Sequence, residues 1–139
     1  MTSRFTVAIH VLTLLAFSGG EPLTSEYIAG SVNTNPVVIR RLLGSLREAN
    51  LVRSQPGPGG GWYLLRPARG ITLRDVYRAV EGAGVFAMHA NTPNPRCPVG
   101  ANIKDILAGR FEDAQLALEA ALERTRISDL LGEVRTRAT

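Results

Sequence analysis

The sequence is poor in cysteine and has no long hydrophobic run, and both shortages narrow what the protein can be. Cys97 is the single cysteine among 139 residues, so the chain cannot form an internal disulfide or a four-cysteine metal site. No apolar run reaches the roughly 18 residues that a membrane-spanning helix needs. The N-terminus also lacks a basic stretch followed by a small-residue cleavage site, which argues against a signal peptide. We therefore expect a cytoplasmic protein with no membrane partner.

Groups that could perform catalysis are equally scarce. The chain has 2 histidines and one cysteine, and its acids are spread as helix caps and surface charge. Because no nucleophile, base and acid form a set, we expect no enzymatic activity. What the chain does contain is 45% hydrophobic residues in 139, enough for one globular domain with its own core.

Positive charge is concentrated in the first part of the chain. Up to Glu81 there are 9 basic and 5 acidic residues, a net charge of +4, whereas the remainder carries 7 of each. Between residues 40 and 69 six arginines face a single acid, Glu48. They are Arg40, Arg41, Arg47, Arg53, Arg66 and Arg69. Since cations that neutralise phosphates release counterions, the imbalance favours an anionic partner such as nucleic acid, although basic stretches are often only solvated surface.

Apolar periodicity predicts three helices in the first fifty residues. They cover residues 4–18, 26–32 and 36–49. Thr24 or Ser25 can cap the second helix. Asn35 can cap the third, with Pro36 at its first position and Asn50 as a left-handed stop. The core side of the third helix is expected to carry Val38, Leu42, Leu43 and Leu46.

A hairpin and further helices are predicted after residue 50. Two strand-like runs, 51–55 and 62–66, are joined by a Pro-Gly-Pro-Gly-Gly-Gly linker of turn formers. Thr72 and Asp75 form a capping box that opens a helix through Glu81. A loop is predicted over 82–95, and helices over 102–107, 109–125 and 129–134, the last capped by Ser128 and followed by a frayed tail.

Three helices followed by a hairpin is the order of a winged helix-turn-helix. The third helix exposes Val37, Arg40, Arg41 and Arg47, with Thr34 and Asn35 at its entrance. Arginine can hold guanine with two hydrogen bonds or grip a phosphate, and an exposed row of helix N–H groups favours phosphate. A tip without side chains at Gly57, Gly59, Gly60 and Gly61 can lie against the minor groove or the DNA backbone, with Arg53 and Arg66 at its base.

Less specific interpretations of the same features remain open. The arginines could be solvated, and the Pro-Gly run could be a plain turn or a flexible linker. It is not a nucleotide-binding loop, because no lysine follows the glycines and no helix follows the strand. The conjunction of a basic helix and a glycine-tipped hairpin favours DNA binding.

Two segments resemble a known family of regulators. The run RRLLGSLREANLV from Arg40 to Val52, followed by GPGGGWYL from Gly57 to Leu64, resembles the bacterial Rrf2 family, typified by IscR, NsrR and CymR. The segment ITLRDV from Ile71 to Val76 also matches its pattern. The likeness covers nearly the whole chain. It implies a mainly α fold with a small β-hairpin, in which a winged helix-turn-helix is joined to a long C-terminal dimerisation helix.

The resemblance also implies a function and a set of contact residues. Members are homodimeric transcription factors, usually repressors, that bind a palindromic operator in double-stranded DNA. By position, Asn35 to Arg41 would read bases, and Val37 and Val38 could contact thymine methyls. The wing residues would be Pro58, Gly59, Gly60, Gly61 and Trp62. The implied division is a DNA-binding domain at 1–81, a loop with the lone cysteine at 82–102 and a helical dimerisation region at 103–139.

The chain departs from the cluster-binding members of that family. Those members hold iron–sulfur through three cysteines in a loop, and here only Cys97 is present, so we expect no cofactor. The chain looks more like a single-cysteine subgroup that also carries Ala-Ile-His in the first helix, as Ala8 to His10 do here. Cys97 could be structural, or a redox switch whose pKa is lowered by Arg96 and a helix N-terminus. It could also be a ligand of an iron–sulfur cluster or metal in a sensor, together with His10 or His89 across the dimer.

Two further alternatives concern partners. The apolar stripe of the helix at 109–125 could cover the core, but it is better placed to pack on a second copy of the chain, which would set two recognition helices one DNA turn apart. A winged-helix fold can also serve as a protein–protein interaction module that has lost DNA contact. That alternative predicts a neutral third helix, which Arg40 and Arg41 argue against.

Overall fold

The fold comes from a computed structural model, which describes residues 3–82 and 84–139. Within this part the chain forms six α-helices and one antiparallel hairpin. In chain order they are α1 (Arg4–Phe17), α2 (Ser25–Val32), α3 (Pro36–Glu48), β1 (Val52–Gln55), β2 (Gly61–Leu64), α4 (Leu73–Val80), α5 (Pro98–Glu123) and α6 (Ile127–Ala138). The mainly helical class with one small hairpin is confirmed.

Local capping signals position α2 and α3 as predicted. The Thr24 hydroxyl oxygen accepts a hydrogen bond from the backbone N–H of Tyr27 at 3.1 Å, which starts α2. The Asn35 side-chain oxygen accepts from the N–H of Val37 at 2.8 Å, which starts α3. Asn50 lies just beyond α3 with φ 61°, the left-handed stop that the sequence indicates. These caps define the helix-turn-helix.

The predicted core face of α3 is wrong at one position. Val38 is 46% exposed, and Ile39 is fully buried in its place. The buried residues are Ile39, Leu42, Leu43 and Leu46. Counted from Ile39, the other three follow after three, four and seven residues, which keeps them on one side of a helix with 3.6 residues per turn. Counted from Val38, the spacing fits one side of the helix less well. Val38 is therefore on the solvent face together with Val37.

The hairpin is confirmed, and a short third segment extends it. β1 and β2 pair antiparallel, with Val52 opposite Leu64 and Gln55 opposite Gly61. Leu23, before α2, pairs with Trp62 through two backbone hydrogen bonds of 2.8 and 3.0 Å. The wing, which we define as β1, β2 and residues 56–60 between them, is thus attached to the segment that leads into α2.

The core joins the N-terminal helices to the last helix. Its fully buried residues come from α1, α2, α3, β1, α4 and α6, and include Leu12, Ile28, Leu43, Val52, Val76 and Ile127. Ile127 donates its N–H to the carbonyl of Ile71 at 2.9 Å, and Leu73 donates to the carbonyl of Thr125 at 2.9 Å. α6 therefore completes the core around the helix-turn-helix, even though it follows the long α5.

Three predictions for the C-terminal third are wrong. Residues 98–123 form one helix, whereas two were expected with a break before Gly109. An isolated glycine costs a helix only about 1 kcal/mol, and the helix formers on both sides of Gly109 outweigh that cost. α6 begins at Ile127, so Ser128 lies in its first turn, and the carboxylate of Asp129 accepts from the N–H of Arg126 at 2.8 Å. The tail does not fray, because α6 continues to Ala138.

The predicted loop and capping box fit the structure. Residues 84–97 contain no helix or strand, while residue 83 of the predicted loop lies outside the described residues. Thr72 and Asp75 make both hydrogen bonds of the capping box at the start of α4, at 3.0 and 3.1 Å. No helix in the described ranges is long and apolar enough to cross a membrane.

Candidate nucleic-acid interface

The solvent face of α3 carries the side chains that the sequence assigns to DNA. Val37 is 45% exposed, and Arg40, Arg41 and Arg47 are also exposed. Val37 and Arg41 lie opposite the buried apolar side of the helix, and Arg40 and Arg47 flank it. An outer helix face with these side chains can enter the major groove, where arginine reads guanine and apolar groups contact thymine methyls.

Arg40 has a partner within the chain. Its Nη1 lies 3.3 Å from the Oε1 of Glu26 on α2, and the two side chains are 51% and 70% exposed. An ion pair this open to water contributes about 0–1 kcal/mol. The guanidinium group is therefore oriented by Glu26 but stays accessible, with other N–H groups free to bind a base or a phosphate.

Arg41 lines a cavity of about 410 Å³ between the start of α1 and α3. The lining residues are Ser3, Arg4, Val7, Val38, Arg41, Leu42 and Ser45. Arg4 donates from Nη2 to the Ser45 hydroxyl at 3.5 Å, so a second guanidinium group borders the same space. Two arginines and two hydroxyls around one opening can hold a phosphate oxygen.

The entrance of α3 is engaged in local structure. The side-chain oxygen of Asn35 is the helix cap, and Thr34 is half-buried with its N–H donating to the carbonyl of Ala29 at 3.0 Å. The cap uses only the side-chain oxygen of Asn35, so its NH₂ group remains a potential hydrogen-bond donor. Its primary role in the structure is to begin the helix.

Backbone geometry explains the glycines at the wing tip. Gly57 and Gly59 have φ of 88° and 74°, in the left-handed region that favours glycine. A Cβ on Gly60 would collide with the carbonyl oxygen of Gln55. The backbone N–H of Gly60 donates to the carbonyl of Gly57 at 3.0 Å. Pro58 and Gly59 are exposed at the end of the tip. The tip is thus a narrow, tightly folded turn able to approach a DNA backbone closely.

Gly61 and Trp62 attach the wing to the rest of the domain. A Cβ on Gly61 would lie 2.6 Å from the backbone of Leu23, so only glycine permits the close approach there. The Trp62 ring is half-buried, and the guanidinium carbon of Arg47 lies 5.6 Å from its centroid. This cation–π contact joins α3 directly to the wing. The contact could not be predicted from the sequence, because no local pattern links residues 47 and 62.

The two arginines at the base of the wing differ. Arg53 is exposed on β1. Arg66 is half-buried, with Nε donating to the carbonyl of Asn50 at 3.4 Å and Nη1 lying 3.9 Å from the carboxylate of Asp75. Arg53 therefore presents its charge to solvent, while Arg66 braces the wing against α3 and α4.

Cys97 is exposed at the N-cap position of α5. Hydrogen bonds from the backbone N–H groups of Gly100 and Val99 lower the pKa of its thiol below the ordinary value. A lower pKa raises the thiolate fraction at neutral pH, and the thiolate is the reactive form.

A polar network connects α5 to α4. Arg78 Nε donates to the Glu119 carboxylate at 2.6 Å, and Gln115 donates to Tyr77 at 3.0 Å and to Glu119 at 3.1 Å. The hydrogen bond from Arg78, followed by that from Gln115, holds the pKa of Glu119 below its usual range. The side-chain oxygen of Gln115 also accepts from the N–H of Val85 in the loop. α5 is therefore anchored to α4 and to the preceding loop by polar contacts.

Comparisons with known proteins agree with the fold. A profile of the Rrf2 family, described as iron-dependent transcriptional regulators, matches residues 1–133. YwnA of Bacillus subtilis (strain 168), named as a candidate HTH-type transcriptional regulator, is 42% identical over 135 residues, which is 96% of this chain and 98% of YwnA. The HTH-type transcriptional regulator IscR of Cereibacter sphaeroides is 30% identical over 125 residues, covering 90% of this chain and 80% of IscR.

A solved structure of a relative shows the same architecture. CymR, the global cysteine regulator of Bacillus subtilis, superposes with a TM-score of 0.69 and 26% identity, and the match covers 96% of each chain. The chain therefore shares with CymR the fold that contains the wing and the third helix.

The family description names iron, and the donor groups of this chain do not fit an iron–sulfur cluster. Cys97 is the single cysteine of the chain, whereas iron–sulfur clusters are held mainly by several cysteine thiolates. Nowhere in residues 3–82 and 84–139 do three histidine, cysteine or carboxylate groups come together as metal ligands. His10 Nε2 and the Ser31 hydroxyl oxygen instead share a hydrogen bond of 2.9 Å.

The fold, the matching family profile and the relatives that match over most of their length lead to one assignment. The profile spans far more than half of the chain, and the YwnA match covers nearly all of both proteins. The relatives are transcriptional regulators and not enzymes. The chain belongs to the Rrf2 family of DNA-binding transcriptional regulators.

Proposed function

We propose that the protein is a homodimeric repressor that acts in the cytoplasm and binds a palindromic operator. In this proposal α3 enters the major groove and the wing tip lies against the minor groove or the DNA backbone. The observation that carries it is the exposed arginine face of α3, which is joined through the Arg47–Trp62 contact to a narrow glycine tip. Two DNA-facing elements that are fixed relative to each other can contact adjacent grooves of one duplex.

Each candidate contact has a distinct role in this proposal. Arg40 reads a base, and Val37 and Val38 contact thymine methyls. Arg41, together with Arg4 across the cavity, binds a phosphate, and the wing tip at Pro58 and Gly59 approaches the backbone. Arg47 and Trp62 set the position of the wing, and Gly60 and Gly61 provide its turn and its attachment.

The surface of α5 supports a dimer. This 26-residue helix has no buried residue within the single chain, and Val99, Ile106 and Leu116 are 66%, 52% and 56% exposed. Phe111 on α5 stacks on Phe86 of the loop at 4.8 Å, which adds a further apolar surface beside the helix. A long helix with large exposed apolar groups is typical of a two-fold interface. Two copies joined there would present two copies of α3 to one palindrome.

Recovery of bound DNA tests the proposal. Genomic fragments retained by the purified protein would be sequenced and compared with the input pool. We expect an enriched sequence with two inverted half-sites whose centres lie about one helical turn apart. Placed across a promoter, that sequence should reduce transcription in vitro when the protein is added. An absence of enrichment, or enrichment of a single unpaired half-site, would contradict the proposal.

Redox control through Cys97 is a second candidate function, favoured by its exposure and lowered pKa. Oxidation at the first turn of α5 would alter the start of the helix that we propose to form the dimer. We expect hydrogen peroxide to weaken operator binding by the unmodified protein and to leave Cys97→Ser unaffected, as measured by gel shift before and after a reducing step. Equal sensitivity of the two proteins would exclude Cys97 as the sensor.

A further inference from the structure

We propose that Glu26 is a specificity-determining residue that holds the Arg40 guanidinium group towards base edges and away from the phosphate backbone. The inference rests on the proposed entry of α3 into the major groove. It adds a residue on a different helix, α2, whose acidic side chain the family pattern and the charge analysis leave without a role.

The geometry places Glu26 beside the recognition side chain. Glu26 lies in the first turn of α2, which the Thr24 cap fixes, and α2 precedes α3 by a short turn. Its Oε1 contacts Nη1 of Arg40 at 3.3 Å across 14 positions of sequence. Both side chains are more than half exposed, so water screens the pair and it adds little to folding stability. The contact is therefore better explained by what it does to Arg40.

A carboxylate at this place opposes non-specific binding to DNA. The surrounding surface is strongly basic, and a negative charge within it repels phosphates. An arginine free of Glu26 could bind any nearby phosphate, a contact that carries no sequence information. Neutralised on one side by Glu26, Arg40 has less attraction for phosphate. Penalising the wrong contact in this way raises specificity even where it lowers affinity.

The donor geometry leaves Arg40 able to read a base. A guanidinium group has five N–H donors, and the Glu26 contact is made through Nη1. The remaining donors form a fork that matches the O6 and N7 acceptors of guanine. Glu26 can thus fix the plane of the group without occupying the donors that guanine needs.

The test compares binding to two duplexes. One is the sequence that the unmodified protein enriches from a randomised duplex pool, and the other is a shuffled duplex of the same length and composition. In Glu26→Gln we expect the ratio of the two affinities to fall roughly tenfold, the scale of one base-reading arginine. The fall should come mainly from tighter binding to the shuffled duplex. Circular dichroism should show an unchanged fold, because Glu26 is exposed.

Salt dependence separates this role from a structural one. If Arg40 of Glu26→Gln moves to a phosphate, the slope of log affinity against log salt on the shuffled duplex should steepen by about 0.9 for each protomer bound. A change that only loosened the fold would not add a phosphate contact. An unchanged slope would therefore overturn the inference.

Two further variants serve as controls. Glu48→Gln removes the same charge from α3, where Glu48 is exposed at the far end of the helix, and should leave the affinity ratio unchanged. In an Arg40→Ala background Glu26→Gln should have no further effect on the ratio. If Glu26→Gln still changes the affinity ratio when Arg40 is absent, for example through a lost preference for cytosine at one position, Glu26 itself reads a base. That outcome would overturn the inference.

Failure of this inference can be distinguished from failure of the proposed function. If the unmodified protein enriches no sequence from the pool, the proposed DNA-binding mode fails and this inference fails with it. If it enriches a sequence and Glu26→Gln keeps the full affinity ratio, the role of Glu26 alone is overturned.

Discussion

At the scale of single residues, Gly61 shows how the wing is attached to the rest of the domain. Its backbone lies so close to Leu23 that a Cβ would be 2.6 Å from a backbone atom, and its neighbour Trp62 makes the paired hydrogen bonds to the same Leu23. The wing is therefore attached to the domain at a point where only glycine fits. Sequence reasoning places Gly61 at the DNA, whereas the structure shows a packing reason for its lack of a side chain.

Gly61→Ala should destabilise the protein by about 1–3 kcal/mol, the usual cost of forcing extra atoms into a packed contact. Urea unfolding would measure the change in the free energy of unfolding. Gly44→Ala is the matched control, since a Cβ there meets nothing within 4 Å, and the helix interior of α3 should gain up to about 1 kcal/mol. Equal stability of Gly61→Ala and the unmodified protein would contradict the close approach.

The residues that sequence reasoning placed well are those whose signals are local. Asn35, Thr72 and Asp75 cap helices through atoms two or three positions away, so a short stretch of sequence contains both partners. The Glu26–Arg40 pair and the Leu23–Trp62 bridge join positions 14 and 39 apart, respectively. Such contacts depend on how helices pack, which no local pattern encodes.

At the scale of elements, the errors have two physical sources. The run Val37-Val38-Ile39 contains three apolar residues in succession, so its composition does not decide which one faces the core, and helix packing selects Ile39. Gly109 is read as a helix break because glycine is a weak helix former, yet α5 continues through it. Single-residue signals thus predict the starts of α2, α3 and α4 well, and they fail at Gly109 inside α5 and at Ser128 in the first turn of α6.

α6 is the element whose role differs most from expectation. It was predicted as a short end helix within a dimerisation region, and its first residue is instead fully buried in the core around the helix-turn-helix. The division into regions 1–81, 82–102 and 103–139 stays a prediction. The packing of Ile127 nevertheless ties the end of the chain to its beginning.

Ile127→Ala should therefore destabilise the whole DNA-binding domain, by about 2–5 kcal/mol. Truncation of Val134 to alanine, at a side chain that is 43% exposed on α6, should change the stability by no more than about 0.5 kcal/mol. Thermal and urea unfolding of the two variants would measure the difference. Similar losses in both, or none in Ile127→Ala, would show that α6 does not complete the core.

At the scale of the whole molecule, α5 determines how two copies could be arranged on DNA. It packs on α4 through the Arg78–Glu119 and Gln115–Tyr77 contacts while its outer surface keeps large apolar side chains exposed. Cys97 is the N-cap residue of the same helix, so a change at the cysteine and a change in the dimer would act on one element.

Ile106→Glu should shift the protein from dimer to monomer and weaken operator binding, because the two half-sites would then bind independently. Sedimentation equilibrium would give the oligomeric state, and gel shift the operator affinity. Val134→Glu adds the same charge to an exposed apolar position of α6 and should stay dimeric. A dimer that persists in Ile106→Glu with full operator affinity would place the interface elsewhere.

The central claim is that α3 reads DNA through its exposed arginine face. Its most direct test is the affinity of Arg40→Ala for the enriched operator and for an unrelated duplex, with Arg135→Ala on the exposed face of α6 as the matched control. We predict a loss of about 1–3 kcal/mol on the operator, little change on the unrelated duplex, and no loss for the control. Equal operator affinity of Arg40→Ala and the unmodified protein would contradict the claim.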